Sequence, residues 1–322
     1  MNLLTFPAPI ADALRQSHWR VLVTGASGWL GQATLELLIQ TFGAEWRERV
    51  VAFGSRERHW RLRDGTPVMQ HPLAALGTLP RAPSLLLHFA YLTREKTGQM
   101  PIADYIATNR TLSQLVATAG AAVGVERMFV TSSGAVHAAL AEAESPDPTL
   151  LYGRLKLEDE ALFERFAHVT VERRVFIARL FNLSGPYINK LDSYALASFI
   201  QQARQGHIAI HASRPVIRSY TSAANLLGVA FAQLLDDSGD SFVCVETAGD
   251  CEVEVQALAE HVRAVVLPRA TIDRAPMGGA AADRYVGDGQ RYRQLLESFG
   301  IAEHSLRQQV TDTADYLQGL AA

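Results

Sequence analysis

Short runs of consecutive apolar residues alternate along this chain with longer stretches whose apolar positions recur at helical spacing. VLVTG (21–25), VVAF (50–53), LLLHFA (85–90), RMFVTSS (127–133) and VFIARLFN (175–182) read as strands. Between them, ATLELLIQTF (33–42), YIATNRTLSQLVATAG (105–120) and YGRLKLEDEALFERF (152–166) read as helices. Strands that are apolar at successive positions are buried on both faces. Their alternation with helices predicts an α/β fold with a doubly wound parallel sheet.

After Asn182 the rhythm changes. SGPYIN reads as a turn, followed by a helix over 193–205, a short strand HIAIHA (207–212) and a loop around Arg214–Pro215. A helix over 222–236, a strand SFVCVETAG (241–249) and C-terminal helices follow. The pattern predicts a first domain over 1–181 and a smaller α/β domain over 182–322, some of whose elements return to the main sheet. A short lead-in helix, Ile10 to Gln16, precedes the first strand.

Composition narrows the function classes. The chain has 322 residues, 48% of them apolar, and a net charge of −3. Such a balance carries no basic field for nucleic acid or an anionic membrane. No apolar run reaches the roughly 18 residues that a membrane helix needs. The N-terminal stretch lacks the basic and apolar regions of a signal peptide. Cys244 and Cys251 have no metal-ligand spacing and read as buried thiols in a reducing compartment, which implies a cytoplasmic protein without a metal site.

Three glycines, Gly25, Gly28 and Gly31, sit between the first strand and the first long helix. Glycine weakens either element, so its repetition at their junction needs a reason. A phosphate site supplies one. The first Gly allows a tight turn, the second lets backbone N–H groups approach a pyrophosphate, and the third lets helix and strand pack closely. The helix N-terminus adds N–H donors and roughly half a positive charge. The spacing is G-x-x-G-x-x-G, one residue longer in its first gap than the commoner dinucleotide pattern.

With its flanks, TGASGWLG resembles the phosphate loop of the extended short-chain dehydrogenase/reductase family, the NAD(P)-dependent epimerase/dehydratase group. HFAY (88–91) resembles the family's H-x-A-A turn, and the helix carrying Asn109 its segment with a central Asn. FVTSSGAVHA (129–138) resembles the serine-bearing strand that usually ends in V-Y-G. YGRLK (152–156) matches Y-x-x-x-K, and RLFNLSGPY (179–187) resembles R-x-F-N-x-x-G-P. The resemblance implies a Rossmann-type fold and a homodimer built through the helix pair 105–120 and 152–166, although their apolar faces could equally be core. It also implies cofactor contacts from Gly25, Ser27, Gly28, Trp29, Leu30, Gly31, Ser55, Arg56, Phe89, Ala90, Tyr91, Asn109, Tyr152, Lys156 and Phe181.

Tyr152 and Lys156 lie four apart on one predicted helix and share a face. A free phenol with a pKa of about 10 is a poor base near neutrality. An ammonium about 4 Å away, at an effective dielectric near 20, attracts the phenolate by roughly 4 kcal/mol, an upper bound near three pKa units. Such a shift suits general acid/base work. Ser133 ends a strand and can donate to a substrate oxygen as charge develops on it. By resemblance, Ser133, Tyr152 and Lys156 form the catalytic set, with Ser132 a competing serine. Counting back from His137, at the usual V-Y-G tyrosine, gives Ser133.

An acid at the end of the second strand binds the ribose 2′-hydroxyl and repels a 2′-phosphate. Here Gly54 holds that position, followed by Ser55, Arg56, Glu57 and Arg58. Ser55 can donate a hydrogen bond and Arg56 can pair with phosphate, so the preferred cofactor is NADP, with NAD the alternative. Arg56 and Arg58 can equally be solvated loop charges. Further departures from the family pattern stand at Gln70 and His71, where an Asp often contacts adenine, and at His137 and Ala138. The 4,6-dehydratase branch carries Thr-Asp-Glu where this chain has Ser133-Gly134-Ala135, so it lacks those proton shuttles.

For substrate, the resemblance implies contacts from Ser133, His137, Asn182 and Arg218, the last two near a diphosphate. Ser219 and Asn225 replace the two acids that usually accompany the arginine. The expected activity is that of an NAD(P)-dependent epimerase or ketoreductase acting on a nucleotide-activated sugar by hydride transfer. The alternatives are an NADP-dependent reductase of a non-sugar carbonyl compound and a non-catalytic dinucleotide-binding sensor.

Overall fold

The computed structural model describes residues 3–145 and 147–320. In chain order its first part contains α1 (Ala8–Gln16), β1 (Arg20–Thr24), α2 (Trp29–Phe42), α3 (Trp46–Arg49), β2 (Val50–Gly54), β3 (Arg58–Arg61) and β4 (Pro67–Pro72). Next come β5 (Ser84–His88), α4 (Ile102–Val123), β6 (Val125–Ser133), α5 (Val136–Ala141), α6 (Leu151–Ala167) and β7 (Arg174–Leu180). The remainder contains β8 (Asn182–Ser184), α7 (Ala195–Arg204), β9 (His207–Ile210), β10 (Val216–Ser222), α8 (Ala223–Leu235) and β11 (Phe242–Glu246). It ends with β12 (Glu252–Glu254), α9 (Val255–Val266), β13 (Thr271–Arg274), β14 (Asp283–Tyr285), α10 (Gln290–Ser298) and α11 (Leu306–Gly319).

The chain divides into two compact units. One comprises Leu3–Arg179 and Ala230–Val245; the other comprises Leu180–Val229 and the residues from Glu246 onward. The main sheet has the order β11-β7-β6-β5-β1-β2-β4-β3. β1 pairs in parallel with both β2 and β5, and the strand order reverses there. Among the pairings described for this main sheet, only the β3–β4 edge hairpin is antiparallel. The doubly wound α/β expectation therefore holds. In such sheets ligands bind at the carboxyl ends of the strands, where the order reverses.

Burial of apolar side chains on both sides of the sheet stabilises this unit. Leu22, Phe53, Leu86, Met128, Val130 and Ile177 from the strands cluster with Val116 of α4 and with Phe163 and Phe166 of α6. Each such side chain contributes about 1.5–3 kcal/mol when fully buried. The apolar faces of α4 and α6 thus build this core, while Arg110 and Glu158 form an exposed ion pair on their outer side. Arg63, after the β3 edge strand, is held by a buried ion pair with Glu36 of α2.

In the second unit β10 is central, parallel to β8 and β14 and antiparallel to β12, and β9 pairs with β13. α7, α9 and α11 pack with these strands. Several expectations change here. The strand expected over 175–182 ends at Leu180, a bend follows at Phe181, and Asn182 opens β8 on a different sheet. The chain around the expected loop at Arg214–Pro215 continues directly into β10, and β12 to β14 interrupt the expected run of helices. Cys244 is half-buried and Cys251 exposed, so the thiols are not both buried as expected. Cys244 lies on an edge strand whose buried positions are Val243 and Val245, and Cys251 lies in the bend before β12.

Candidate active site

The glycine turn joins β1 to α2 at the point of strand reversal. Gly25 has φ +67°, a left-handed conformation that disfavours any side chain. A Cβ at Gly25 would lie 2.7 Å from the Phe89 carbonyl carbon, so the turn after β1 rests on the turn after β5. A Cβ at Gly31 would lie 2.3 Å from the Gly25 carbonyl oxygen, whereas one at Gly28 would lie 3.1 Å from the same atom. The first intrahelical bond of α2 runs from Gln32 N–H to the Gly28 carbonyl. The amides of Leu30 and Gly31 thus stand outside the helix's own ladder. Glycine at three positions keeps this turn free of its own Cβ atoms there, and such unpaired amides are the donors a pyrophosphate takes.

Beside it, β6 ends at Ser133 and α6 begins at Leu151. A Cβ at Gly153 would lie 2.3 Å from the Ala135 carbonyl oxygen. This glycine allows α6 to press on the Ser133-Gly134-Ala135 turn, with Tyr152 next to the contact. Ser132 and Ser133 face opposite sides of β6. Ser132 donates to Glu160 at 2.5 Å, and Arg179 grips the same carboxylate at 2.8 Å. Ser133 accepts from the Ala135 N–H at 3.2 Å.

Lys156 lies one turn beyond Tyr152 on α6. Its Nζ donates to the Thr131 carbonyl at 3.0 Å and sits 3.5 Å from Asp159 Oδ2. Burial brings the Lys156 pKa down to about 8, partly countered by Asp159. Burial pushes the Asp159 carboxyl up, against the pull of Lys156. The Tyr91 ring lies 6.1 Å from the Tyr152 ring, edge-on.

The turn after β5 is clamped from α4. Asn109 Oδ1 accepts from the Leu92 N–H at 2.9 Å, and Tyr105 donates to the Leu92 carbonyl at 2.8 Å. Asn109 is completely buried, so what the structure gives it is a hold on the backbone next to Phe89, Ala90 and Tyr91. His88 is buried beneath them, with Nδ1 2.8 Å from the Thr24 hydroxyl. At the end of β2, Ser55 and Arg56 are exposed. His137 lies in the first turn of α5, exposed.

In the other unit, Asn182 and Arg218 line one cavity of about 180 Å³ together with Tyr194, Tyr220, Val253 and Leu258. Arg218 pairs with Asp283 at 3.1 Å, and Asn182 donates to the Ser219 carbonyl at 3.2 Å. Phe181 packs on Tyr285 with ring centroids 4.9 Å apart. Sequence reasoning missed the Asp283 partner, the Glu160–Arg179 pair, Asp159 and the part of Gly153. Only Gly153 left a signal: a glycine inside a helical pattern costs about 1 kcal/mol and asks for a close contact. Among the described residues, no group of three or more His, Cys, Asp or Glu could hold a metal ion, and no helix is long and apolar enough to cross a membrane.

A strand-order reversal, a glycine cradle and a Tyr–Lys helix beside it define a Rossmann-type dinucleotide fold. Comparison with known proteins agrees at the level of family. The model of the NAD dependent epimerase/dehydratase family matches residues 21–234, and the chain belongs to that family. No curated protein sequence matched. Among solved structures, MoeE5 in complex with UDP-glucose and NAD superposes with a TM-score of 0.69 at 20% identity, over 94% of this chain and 99% of that one. UDP-glucose 4-epimerase from Thermotoga maritima, with UDP-glucose, gives 0.71 at 17% identity over 94% and 99%. RMD from Pseudomonas aeruginosa, complexed with NADPH, gives 0.67 at 21% over 94% and 99%. At these identities the likeness is one of fold.

Proposed function

We propose that this protein is an NAD(P)-dependent epimerase or ketoreductase that acts on a nucleotide-activated sugar, with Ser133, Tyr152 and Lys156 as its catalytic set. The observation that carries this reading is Lys156, buried, held by the Thr131 carbonyl and one helical turn from Tyr152. The Gly25–Gly31 turn would hold the cofactor's pyrophosphate and Lys156 its nicotinamide ribose. Ser55 and Arg56 would meet the adenosine end, with NADP the preferred form. The bound nicotinamide supplies a site that accepts or gives a hydride.

The chain's own residues handle the proton and the substrate oxygen. The Tyr152 phenol takes the proton from a sugar hydroxyl or returns it to a carbonyl. The Lys156 ammonium favours the phenolate. The Ser133 hydroxyl donates to the same substrate oxygen as it gains charge. Asn182 and Arg218 would receive the nucleotide diphosphate. UDP-sugars in the similar solved structures support that substrate class. A homodimer and a cytoplasmic location belong to the same reading.

Absorbance at 340 nm during turnover of UDP-sugars separates the two outcomes, since a ketoreductase consumes NADPH and an epimerase regenerates its cofactor. Tyr152→Phe is expected to lower kcat by about 10²–10⁴-fold while dinucleotide binding persists. Unchanged turnover in that variant would overturn the catalytic assignment. A second reading, reduction of a non-sugar carbonyl, is favoured by one observation: Arg218 is already paired with Asp283.

A further inference from the structure

The end of β2 is built in a way that the residue order does not reveal. Gly54 stands where an acid would grip the adenosine ribose. The space above its Cα is filled. A Cβ at Gly54 would lie 2.2 Å from both Cδ and Nε2 of Gln70 and 2.4 Å from its Oε1. Gln70 belongs to the neighbouring strand β4, where it pairs with Ala52, and its side chain runs along β2 to reach Gly54. It is 1% exposed. Its Nε2 donates to the Arg56 carbonyl at 2.8 Å, while Oε1 is buried with no hydrogen-bond partner among the described residues.

We propose that Gln70 is the residue that sets ribose discrimination at this site, by occupying the place of the missing acid with a neutral amide and by fixing the backbone of Arg56. This rests on the reading that the glycine turn binds a dinucleotide. A carboxylate at the end of β2 repels a 2′-phosphate; an amide does not. Its buried Oε1 is an uncharged acceptor that a turn of the amide would offer to a ribose hydroxyl. The bond from Nε2 holds the Ser55–Arg56 backbone, so that an exposed guanidinium is presented from an anchored main chain. Gln70 also explains the glycine: any side chain at position 54 collides with the amide. A glutamine serving only as filler would satisfy the same packing, so the test must read discrimination as well as stability.

The test is direct binding of NAD and NADP to the purified full chain without sugar, followed by calorimetry or tryptophan fluorescence. Gln70→Glu is expected to weaken NADP at least about tenfold relative to NAD, because it places a carboxylate beside the phosphate position. Gly54→Asp is expected to lower Tm and to impair binding of both dinucleotides. Adding Gln70→Ala to it vacates the space and is expected to restore binding with NAD preferred. The proposal is overturned if Gln70→Glu keeps the NADP/NAD affinity ratio within about twofold of wild type. It is equally overturned if Gly54→Asp binds normally with Gln70 intact, or if Gln70→Ala fails to rescue it. A wild-type preference for NAD, with the ratio still shifting in these variants, would overturn the NADP reading and leave the role of Gln70 standing. Absence of binding of either dinucleotide to wild type would overturn both.

Discussion

Lys156 Nζ lies 3.3 Å from the centroid of the Tyr91 ring. Tyr91 stands where the family pattern has a small residue, and its ring covers the ammonium. Two effects oppose each other. The π face attracts the cation by about 0.5–2 kcal/mol. The same ring excludes water, and burial is the largest cause of the Lys156 pKa falling from the ordinary 10.5 to about 8. Loss of water is the larger effect, so Tyr91→Ala is expected to raise the Lys156 pKa towards its ordinary value. NMR titration of lysine labelled at Cε reads this directly, and an unchanged or lower value would show that the ring contributes attraction only.

The same shift predicts an alkaline stability profile. Between about 8 and 10.5 the unfolded chain keeps the Lys156 proton while the folded chain has released it. Stability therefore rises with pH across that window. In Lys156→Met the contribution of this group to the rise is expected to vanish. Urea denaturation at several pH values from neutral to alkaline checks it; an identical slope in both proteins would mean that Lys156 stays charged when folded.

The glycines of the β1–α2 turn are expected to differ in their tolerance of alanine. Gly31→Ala would drive a Cβ to within 2.3 Å of backbone oxygen, whereas Gly28→Ala meets its nearest atom at 3.1 Å. Overpacking of this kind costs about 1–3 kcal/mol. Thermal denaturation is expected to rank Gly31→Ala well below Gly28→Ala. Dinucleotide affinity is expected to fall in both, because a methyl at Gly28 intrudes on the approach of a phosphate to the backbone.

Much of this fold was legible because its central strands are apolar on both faces and its helices are long. β1, β2, β5 and β6 announce themselves as runs of Val, Leu and Phe. β3 does not: RHWR is an edge strand with mostly exposed side chains, so no hydrophobic period marks it. The strands of the second unit are three to seven residues long and mixed with charge, and β10 hides behind Arg214–Pro215. At the candidate site, motif spacing pointed to Ser133, Tyr152 and Lys156. Counting back from His137 pointed to Ser133 over Ser132; the Glu160 partner of Ser132 left no mark in residue order. The contacts of Gln70 with Gly54 and of Tyr91 with Lys156 depend on register and packing between distant segments, and residue order carries neither.

His88 predicts behaviour on the acid side. Burial, with a smaller effect from Lys156, lowers its pKa from the ordinary 6.5 to about 3. As pH falls through this window the unfolded imidazole takes up a proton that the folded one refuses. Stability then declines as pH falls from about 6.5 to about 3, with a slope from this one group approaching 1.4 kcal/mol per pH unit. His88→Asn is expected to be less stable at neutral pH, through loss of packing and of the Thr24 hydrogen bond, yet to lose less stability on acidification. Chemical denaturation at pH values across that window decides it, and parallel profiles would place the acid sensitivity elsewhere.

Arg218 separates the two substrate readings. Its guanidinium is bound to Asp283 at 3.1 Å and lines the cavity that also holds Asn182. A fork with five N–H donors can keep one carboxylate and still meet a phosphate oxygen, so kinetics must decide whether the pair orients the arginine or occupies it. If the substrate carries a diphosphate, Arg218→Ala raises KM about tenfold or more, with kcat much less affected and dinucleotide affinity unchanged. Asp283→Asn, which keeps the shape and removes the charge, lowers KM or leaves it unchanged. If the substrate is a carbonyl compound without phosphate, Arg218→Ala leaves its KM near wild type. Steady-state kinetics of wild type and these two variants on a UDP-sugar and on small ketones, side by side, assigns the cavity to one class or the other.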